Sequence, residues 1–293
     1  MASPPTIGAI MGDPCGVGPE VLVKALTEKE TPALHARVFA IGSAAIMQEA
    51  ARSLGAALAI HAVARAEDLR FDAGRLDVLD PGGLAASDIT SGRVSAACGR
   101  AVVAWRSLAA RLAADGHADA LVQGPIHMES IALGTGMAAP PPLGGVSSTH
   151  LLLVSGELRV VHLSDHVTLR AAIDRVRRAD VLALILRTND ALKQWGLVAP
   201  RLAVAGLNPH CKGPEDDDEI APAVAAARGL GVDVVGPLPP DTVFHAGGRG
   251  AYDCVVAHYH DQGHIAVKTD RFAGSCAIVL GEPWLRVSVA HGT

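Results

Sequence analysis

Short runs rich in valine and isoleucine alternate with longer alanine- and leucine-rich stretches of helical periodicity along this chain of 293 residues. Thr6–Met11 and Cys254–Ala257 are typical of the apolar runs, and Ser91–Asp115 and Arg178–Trp195 of the helical stretches. This alternation predicts an α/β protein with a largely parallel sheet, because each buried parallel strand needs a crossover helix to reach the next. No hydrophilic linker separates two halves. We therefore expect two domains that share the chain in an interleaved rather than a serial order.

The remaining segments fit the same pattern. Pro19 at a first helical position favours a helix over Glu20–Leu26, and Ser43 is predicted to cap the next helix. The acidic run Glu215–Glu219 is predicted to complement the N-terminal dipole of a helix over Ile220–Leu230. Further strands are predicted at Arg37–Ile41, Ala120–Gln123, Arg201–Ala205, Val232–Val235 and Cys276–Leu280, with a hairpin formed by Leu151–Ser155 and Leu158–His162.

Apolar residues make up 49% of the chain and charged residues 19%, which raises the question of a membrane segment. The longest stretch without Asp, Glu, Lys or Arg runs from Ser130 to Gly156, but three consecutive prolines starting at Pro140 exclude a lipid-exposed helix there. We expect no membrane span, and we expect 130–148 to form a long functional loop. The net charge of −5 provides no basic field for nucleic acid.

The N-terminus and the cysteines predict the compartment. The first twelve residues lack the pattern of a secretory signal peptide. The five cysteines are scattered and contain no Cys-x-x-Cys pair, which favours reduced thiols over disulfides or a cysteine zinc site. Both observations predict a cytoplasmic protein.

A glycine-rich turn from Gly12 to Gly18 follows the first predicted strand and opens the first predicted helix. Backbone N–H groups at such a position bind phosphates and carboxylates, which makes Asp13, Gly16 and Gly18 a candidate anion-binding turn. The turn is neither a dinucleotide fingerprint nor a Walker loop. A purely structural strand-to-helix turn remains the alternative.

Histidines gather after several predicted strands. In α/β sheets, ligands bind beyond the carboxyl ends of the strands, so imidazoles there favour a divalent metal site. Any one of them alone is more often structural, and the spacing does not determine which three converge. The candidates are His127, His162, His166, His210, His258, His260 and His264.

Two cations near the end of the chain suit an anionic substrate. Arg286 can act as a bidentate clamp and Lys268 as a point charge. A pair of solvated surface residues is the alternative interpretation.

Six motifs taken together identify a family. They occur in order along nearly the whole chain and resemble the 4-hydroxythreonine-4-phosphate dehydrogenase (PdxA) family. The motifs are Met-Gly-Asp-Pro-Cys-Gly-Val-Gly-Pro-Glu at 11–20, Gly-Pro-Ile-His at 124–127, Leu-Asn-Pro-His at 207–210, Gly-Pro-Leu-Pro-Pro-Asp-Thr-Val-Phe at 236–244, Tyr-His-Asp-Gln-Gly at 259–263 and Ser-Val-Ala-His-Gly-Thr at 288–293.

The resemblance implies a two-domain fold related to isocitrate and isopropylmalate dehydrogenases. We expect residues 1–125 with about 270–293 to form one domain and about 126–269 to form the second, with a cleft between them. The resemblance also implies a homodimer with the site at its interface. The implied activity is NAD-dependent oxidation of a hydroxyl β to a carboxylate, followed by loss of CO₂, assisted by a divalent metal such as Zn, Mg, Co or Mn.

The family's site residues carry over onto matching positions. The resemblance implies that His166, His210 and His260 bind the metal, and that Lys268 and Arg286 contact the substrate. His127 and Asp261 are implied as proton carriers or as supporting groups. No residue is assigned to an NAD pocket.

The sequence departs from the family pattern where substrate is recognised. Residues 138–145 stand in place of a Gly-His-Thr-Glu motif, and Ala277 occupies a position where members with phosphorylated substrates carry Asn. Two branches therefore stay open: D-threonate or D-erythronate 4-phosphate dehydrogenases, which Arg286 favours, and terephthalate dihydrodiol dehydrogenases, which act on a non-phosphorylated carboxylate. A catalytically silent metal- or ligand-binding relative is the third alternative.

Overall fold

A computed structural model describes residues 3–27, 35–84, 86–270 and 274–293. Contacts within the chain define two compact units: Met1–Ser147 together with Glu282–Thr293, and Ser148–Gly281. The first unit is thus built from both ends of the chain, and the second is inserted between them. The predicted domain boundaries near residues 125 and 270 stay a prediction, and residues 271–273 lie outside the described residues.

The first unit is a parallel sheet with helices. Its strands are β1 (Thr6–Ile10), β2 (Arg37–Ile41), β3 (Ala59–Val63), β4 (Arg75–Leu79), β5 (Ala120–Gln123) and β12 (Leu285–Val289), and its helices are α1 (Gly18–Thr27), α2 (Ala44–Ser53), α3 (Ala96–Ala114) and α4 (Met128–Thr135). The strands lie in the order β3-β4-β2-β1-β5-β12, and all of their pairings are parallel. Phe39, Met47, Trp105 and Leu121 are fully buried in its core.

The second unit has a mixed sheet. Its strands are β6 (His150–Ser155), β7 (Leu158–His162), β8 (Leu202–Ala205), β9 (Val234–Leu238), β10 (Cys254–Ala257) and β11 (Cys276–Leu280), and its helices are α5 (Leu169–Asp174), α6 (Arg178–Gln194), α7 (Ala221–Gly229), α8 (Pro240–Gly248) and α9 (His260–Asp270). The strand order is β11-β6-β7-β10-β8-β9. β6 pairs antiparallel with β11 and β7, and the other pairings are parallel. The predicted hairpin, the α/β class and the largely parallel strand arrangement are confirmed.

Several segments differ from the sequence prediction. The predicted loop at 130–148 begins within α4, which ends where Gly136 adopts a left-handed conformation with φ 75°. α3 begins at Ala96 rather than Ser91, because the Ser95 side chain accepts a hydrogen bond from the Cys98 N–H and caps the helix there. β3 is not predicted, because its residues are largely exposed and His61 interrupts its apolar residues.

The capping role predicted for Ser43 is wrong, whereas the position predicted for the acidic run is confirmed. Ser43 occupies the N-cap position of α2, but its side chain makes no capping bond; the Asp80 carboxylate accepts from the Ala44 N–H instead, at 2.8 Å. The acidic run lies at the N-terminal end of a helix as predicted: it forms most of a short π-helical segment, Glu215–Ile220, that continues directly into α7. Its last member, Glu219, also accepts from the backbone N–H of Arg178, at 2.6 Å, and so supports the start of α6. Distant side chains satisfy these N–H groups, which local sequence patterns cannot show.

α3 and α4 approach each other closely at Gly99. A Cβ at this position would overlap the backbone carbonyl of Ser130. We expect Gly99→Ala to lower the free energy of unfolding by roughly 1–3 kcal/mol, because the two helices must separate. Urea denaturation tests this, with Gly229→Ala as the matched control: Gly229 also lies in a helix, and a Cβ there meets nothing within 4 Å. Equal stabilities of the two variants would contradict the prediction.

None of the helices in the described part of the chain is long and apolar enough to cross a membrane.

Candidate active site

Asp165, His166 and His260 form a cluster in the second unit. His162 ends β7, Asp165 and His166 follow in the next loop, and His260 is the first residue of α9, just after β10. One donor atom from each member of the cluster lies within 4.8 Å of the others. His166 Nδ1 lies 3.2 Å from Asp165 Oδ2, and His260 Nε2 lies 4.0 Å from Asp165 Oδ1. The carboxyl ends of two neighbouring parallel strands thus bring two imidazoles and a carboxylate together.

Asp261 orients the ring of His260. His260 Nδ1 lies 2.6 Å from Asp261 Oδ1 and donates its proton to that carboxylate. The lone pair of the ring then lies on Nε2, which faces Asp165. A carboxylate that holds one nitrogen of a histidine in this way is the usual support of a metal-binding imidazole.

The charges in this cluster suit a divalent cation. Burial acts to raise the pKa of Asp165, but the hydrogen bond and positive charge of His166 outweigh it, and the pKa is lowered. The same contact with Asp165 raises the pKa of His166. Asp165 Oδ1 is nevertheless buried without a hydrogen-bond partner. An ionised oxygen left in that state is unfavourable, and a bound cation is the partner that would satisfy it. The residues therefore fit a metal.

The other predicted histidines of this unit have different environments. His210 is exposed in a short turn after β8 and is not part of the cluster. His162 and His258 are buried, and each bonds a backbone carbonyl, of Leu151 and Ala205 respectively. His264 stacks on His260 with ring centroids 3.6 Å apart. The ring of His264 also bonds a backbone carbonyl, that of His260, at 3.0 Å. The structure thus separates one exposed and three backbone-bonded histidines from His166 and His260, which face Asp165.

Asp216 holds the turn that carries His210 through hydrogen bonds. The Asp216 carboxylate is fully buried and accepts hydrogen bonds from the backbone N–H groups of Leu207 and Asn208, at 2.8 and 3.1 Å. It also accepts from the Asn208 side chain, at 2.8 Å. One acidic residue of the predicted capping run therefore positions the Asn-Pro-His motif, which was not foreseen.

Lys268 lies on the same helix as His260, two turns further along. Its positive charge acts to lower the pKa of His166, so the two side chains are near enough to interact electrostatically. Among the residues that the structure describes, no carboxylate pairs with it within 4.0 Å. A partly buried, unpaired cation next to candidate metal ligands suits an anionic group of a substrate.

In the first unit, the predicted anion-binding turn and His127 line one cavity of about 250 Å³. Asp13 Oδ1 accepts from the Cys15 N–H at 2.8 Å, and this bond shapes the turn. Arg93 also lines the cavity, and His127 Nδ1 is buried without a partner. Gly18 does not line the cavity; it is buried where α1 packs on the Met11 carbonyl.

Arg286 lies in a buried charge cluster in the same unit. Its Nε and Nη2 donate to the two oxygens of Glu282 at 2.7 and 2.8 Å, and Glu282 also accepts from the Leu143 N–H at 3.0 Å. Arg106 donates to Gln123 and to the Pro141 carbonyl. Burial and the charge of Arg286 lower the pKa of Arg106 to about 10, against the opposing effect of Glu282. This cluster holds 141–143, part of the segment that replaces the family's substrate motif.

The environment of His150 predicts a pH-dependent contribution to stability. Burial and the neighbouring Arg187 lower the pKa of His150 from 6.5 to about 4. The unfolded chain therefore takes up a proton between pH 6.5 and 4 that the folded protein excludes, so this contribution to stability is complete above pH 6.5 and falls below it. The wild-type protein should therefore lose unfolding free energy when the pH falls from 7 to 5. We expect His150→Gln to lose roughly 1–2 kcal/mol less than the wild type over the same range. Urea denaturation at both pH values measures this, and an unchanged difference would contradict it.

Three comparisons identify the kind of protein. The family model described as pyridoxal phosphate biosynthetic protein PdxA matches residues 34–293. The D-threonate 4-phosphate dehydrogenase of Cupriavidus necator is 37% identical over 302 residues, covering 99% of this chain and 90% of that protein. A crystal structure of a 4-hydroxythreonine-4-phosphate dehydrogenase from Burkholderia phymatum has a TM-score of 0.83 at 35% identity, covering 99% of this chain and 91% of that one. A terephthalate 1,2-cis-dihydrodiol dehydrogenase from Burkholderia xenovorans has a TM-score of 0.64 at 29% identity, with 99% and 90% covered.

The chain therefore has the α/β fold of these dehydrogenase structures. The family-model match and the sequence identity over nearly the whole chain identify the family as well as the fold class. The chain belongs to the PdxA family, and the family membership expected from the six motifs is confirmed.

Proposed function

We propose that this chain is an NAD-dependent and divalent-metal-dependent dehydrogenase that oxidises and decarboxylates a small phosphorylated hydroxy acid. The substrate would be of the 4-phosphohydroxythreonine or D-threonate 4-phosphate type. One observation carries the proposal: in a chain of the PdxA family, Asp165 contacts His166 through one carboxylate oxygen, and its other oxygen is buried, unpartnered and faces His260. The donor set suits a metal, and Lys268 suits an anion.

His166 and His260 would hold the metal from within the second unit, and His210 remains the predicted third histidine. A bound divalent cation supplies Lewis acidity, which favours loss of the hydroxyl proton and stabilises the negative charge that develops as CO₂ leaves. Asp261 keeps the His260 ring oriented. Lys268 binds a carboxylate or phosphate of the substrate and so fixes its position relative to the histidines.

The oxidation moves a hydride from the substrate carbon to the nicotinamide ring of NAD and releases the hydroxyl proton. After CO₂ leaves, the carbon must take up a proton. Asp261, whose carboxylate is 72% exposed, and His127 are the proposed proton carriers. The turn of Asp13 and Gly16, shaped by the Asp13 carboxylate, is proposed to bind an anionic group in the first unit together with the positive charge of Arg93, while Gly18 supports the turn from beneath the cavity.

Arg286 is proposed to contact the substrate as well. Glu282 occupies its Nε and one Nη2 hydrogen, which leaves the Nη1 donors for a ligand. In this role Glu282 is a positioning residue: it fixes the plane of the guanidinium group before substrate arrives.

The branch of the family is the second question. Arg286 and the D-threonate 4-phosphate dehydrogenase of C. necator support a phosphorylated substrate. The absent Gly-His-Thr-Glu motif, Ala277 and the similarity to the dihydrodiol dehydrogenase favour a non-phosphorylated cis-dihydrodiol carboxylate. We also propose that the protein is a cytoplasmic homodimer with the site at its interface. Light scattering on the purified protein tests whether it is a dimer.

Initial rates of NADH formation test the proposal. The substrates are 4-phosphohydroxythreonine, D-threonate 4-phosphate, D-erythronate 4-phosphate and a carboxylated cis-dihydrodiol, each with NAD and Mn²⁺. We expect turnover of at least one of the three phosphorylated acids and none of the dihydrodiol. Turnover of the dihydrodiol alone would establish the other branch. No NADH from any substrate, together with no NAD binding by calorimetry, would favour the catalytically silent alternative.

A further inference from the structure

We infer that Asp165 is itself a ligand of the divalent metal, so that this unit supplies one carboxylate and two imidazoles. The family resemblance implies three histidines and no carboxylate. The inference deepens the proposed function and rests on its metal dependence. It concerns the identity of the donor atoms, which decides the metals that the site accepts.

The distances fit a shared cation. His260 Nε2 and Asp165 Oδ1 are 4.0 Å apart, too far for a hydrogen bond between them. Nitrogen and oxygen ligands bound about 2.0–2.2 Å from one ion lie at most about 4.4 Å apart. One ion can therefore contact both atoms without a change in the backbone.

The hydrogen-bond inventory gives an independent argument. Asp165 Oδ2 is occupied by His166, but Oδ1 is buried and has no donor. A carboxylate that only positioned His166 would need one oxygen for that bond. Its second oxygen would normally accept a hydrogen bond from another group or from water. The unused oxygen instead faces the nitrogen of His260 that Asp261 leaves free.

A carboxylate ligand changes metal selection. Carboxylate oxygen is a harder donor than imidazole nitrogen, and it suits Mg²⁺ and Mn²⁺ as well as Zn²⁺ and Co²⁺. Its negative charge also offsets part of the charge of the ion. We expect the site to bind Mn²⁺ measurably, and to lose affinity when the carboxylate becomes an amide.

The test is binding of Co²⁺ and Mn²⁺ to the metal-free full-length protein, followed by calorimetry and, for Co²⁺, by its visible absorption spectrum. Asp165→Asn keeps an oxygen that can accept from His166 but loses the charge. Asp165→Glu keeps the carboxylate. The control Asp174→Asn makes the same chemical change at an exposed aspartate of α5.

We expect Asp165→Asn to weaken the binding of both ions by about tenfold or more and to shift the Co²⁺ spectrum. Asp165→Glu should recover part of the affinity, and Asp174→Asn should match the wild type. If Asp165→Asn does not fold, Asp165→Ser replaces it with the same expected loss. Wild-type affinity together with an unchanged spectrum in the folded variant would overturn the inference and leave the proposed function standing. No binding of either ion to the wild type would overturn both.

Discussion

Glu282→Ala is expected to lower the free energy of unfolding by about 3–5 kcal/mol, the largest stability effect that the structure predicts. The side chain of Glu282 is fully buried, and its carboxylate receives three hydrogen bonds, two from Arg286 and one from the Leu143 N–H. Removing it leaves the buried guanidinium of Arg286 unpaired, close enough to Arg106 for the two positive charges to interact. Urea denaturation at neutral pH measures the loss.

Two further variants separate charge from shape. Glu282→Gln keeps an acceptor for Arg286 but removes the charge. We therefore expect it to lower the free energy of unfolding, but by less than Glu282→Ala does. Glu129→Ala, at an exposed position of α4, is the control and should change stability by less than about 0.5 kcal/mol. A Glu282→Ala protein as stable as the control would show that the buried pair contributes nothing.

His260→Ala is expected to reduce kcat/KM for NAD reduction by about a thousandfold or more. The variant removes the candidate ligand whose Nε2 faces Asp165, and Lewis acidity contributes several kcal/mol to such reactions. Asp261→Asn retains the ring of His260 but weakens its orientation, so a smaller loss of about 10–100-fold is expected. Steady-state kinetics at saturating Mn²⁺ measure both.

The matched control is His61→Ala, because His61 is exposed in β3 in the first unit. It should retain wild-type rates. Circular dichroism confirms that each variant is folded. His260→Ala with more than about a tenth of the wild-type kcat/KM would contradict the assignment of His260 to the reaction.

Much of the fold could be predicted because its strands are buried on both sides. β2, β5, β8 and β10 appear in the sequence as short, continuous apolar runs, and the predicted bounds agree with the structure to within one residue. β3 could not be predicted from such a pattern, because Ala59–Val63 is largely exposed. α4 was hidden by the glycines and prolines that follow it, and the helix occupies only the first part of that segment.

The candidate site was predictable as a set of histidines but not as an arrangement. Sequence could place His166 and His260 after strands, and the parallel pairing of β7 with β10 brings them together. It could not show that His162 and His258 bond backbone carbonyls, since that depends on neighbouring strands. Asp165 was missed, although its position next to His166 was a signal that could have been used.

The buried charges are the other feature that sequence could not reveal. Arg286 was expected to face a substrate, and its bidentate pairing with Glu282 depends on the turn that leads into β12. The role of Asp216 likewise depends on contact with Leu207 and Asn208, eight or nine residues before it in the chain. Side chains that bond across a turn leave no periodic pattern in the sequence.

The central claim is a metal-dependent oxidative decarboxylation, and the stoichiometry of the reaction tests it most directly. The enzyme is incubated with NAD and the phosphorylated acid it turns over fastest, and NADH and CO₂ are both quantified, with Mn²⁺ present, after treatment with a chelator, and after Mn²⁺ is restored. The account predicts equal amounts of NADH and CO₂ with Mn²⁺, neither after chelation, and recovery of both on restoring the ion. NADH formed at the same rate after the metal is removed, or NADH formed without CO₂, would contradict it.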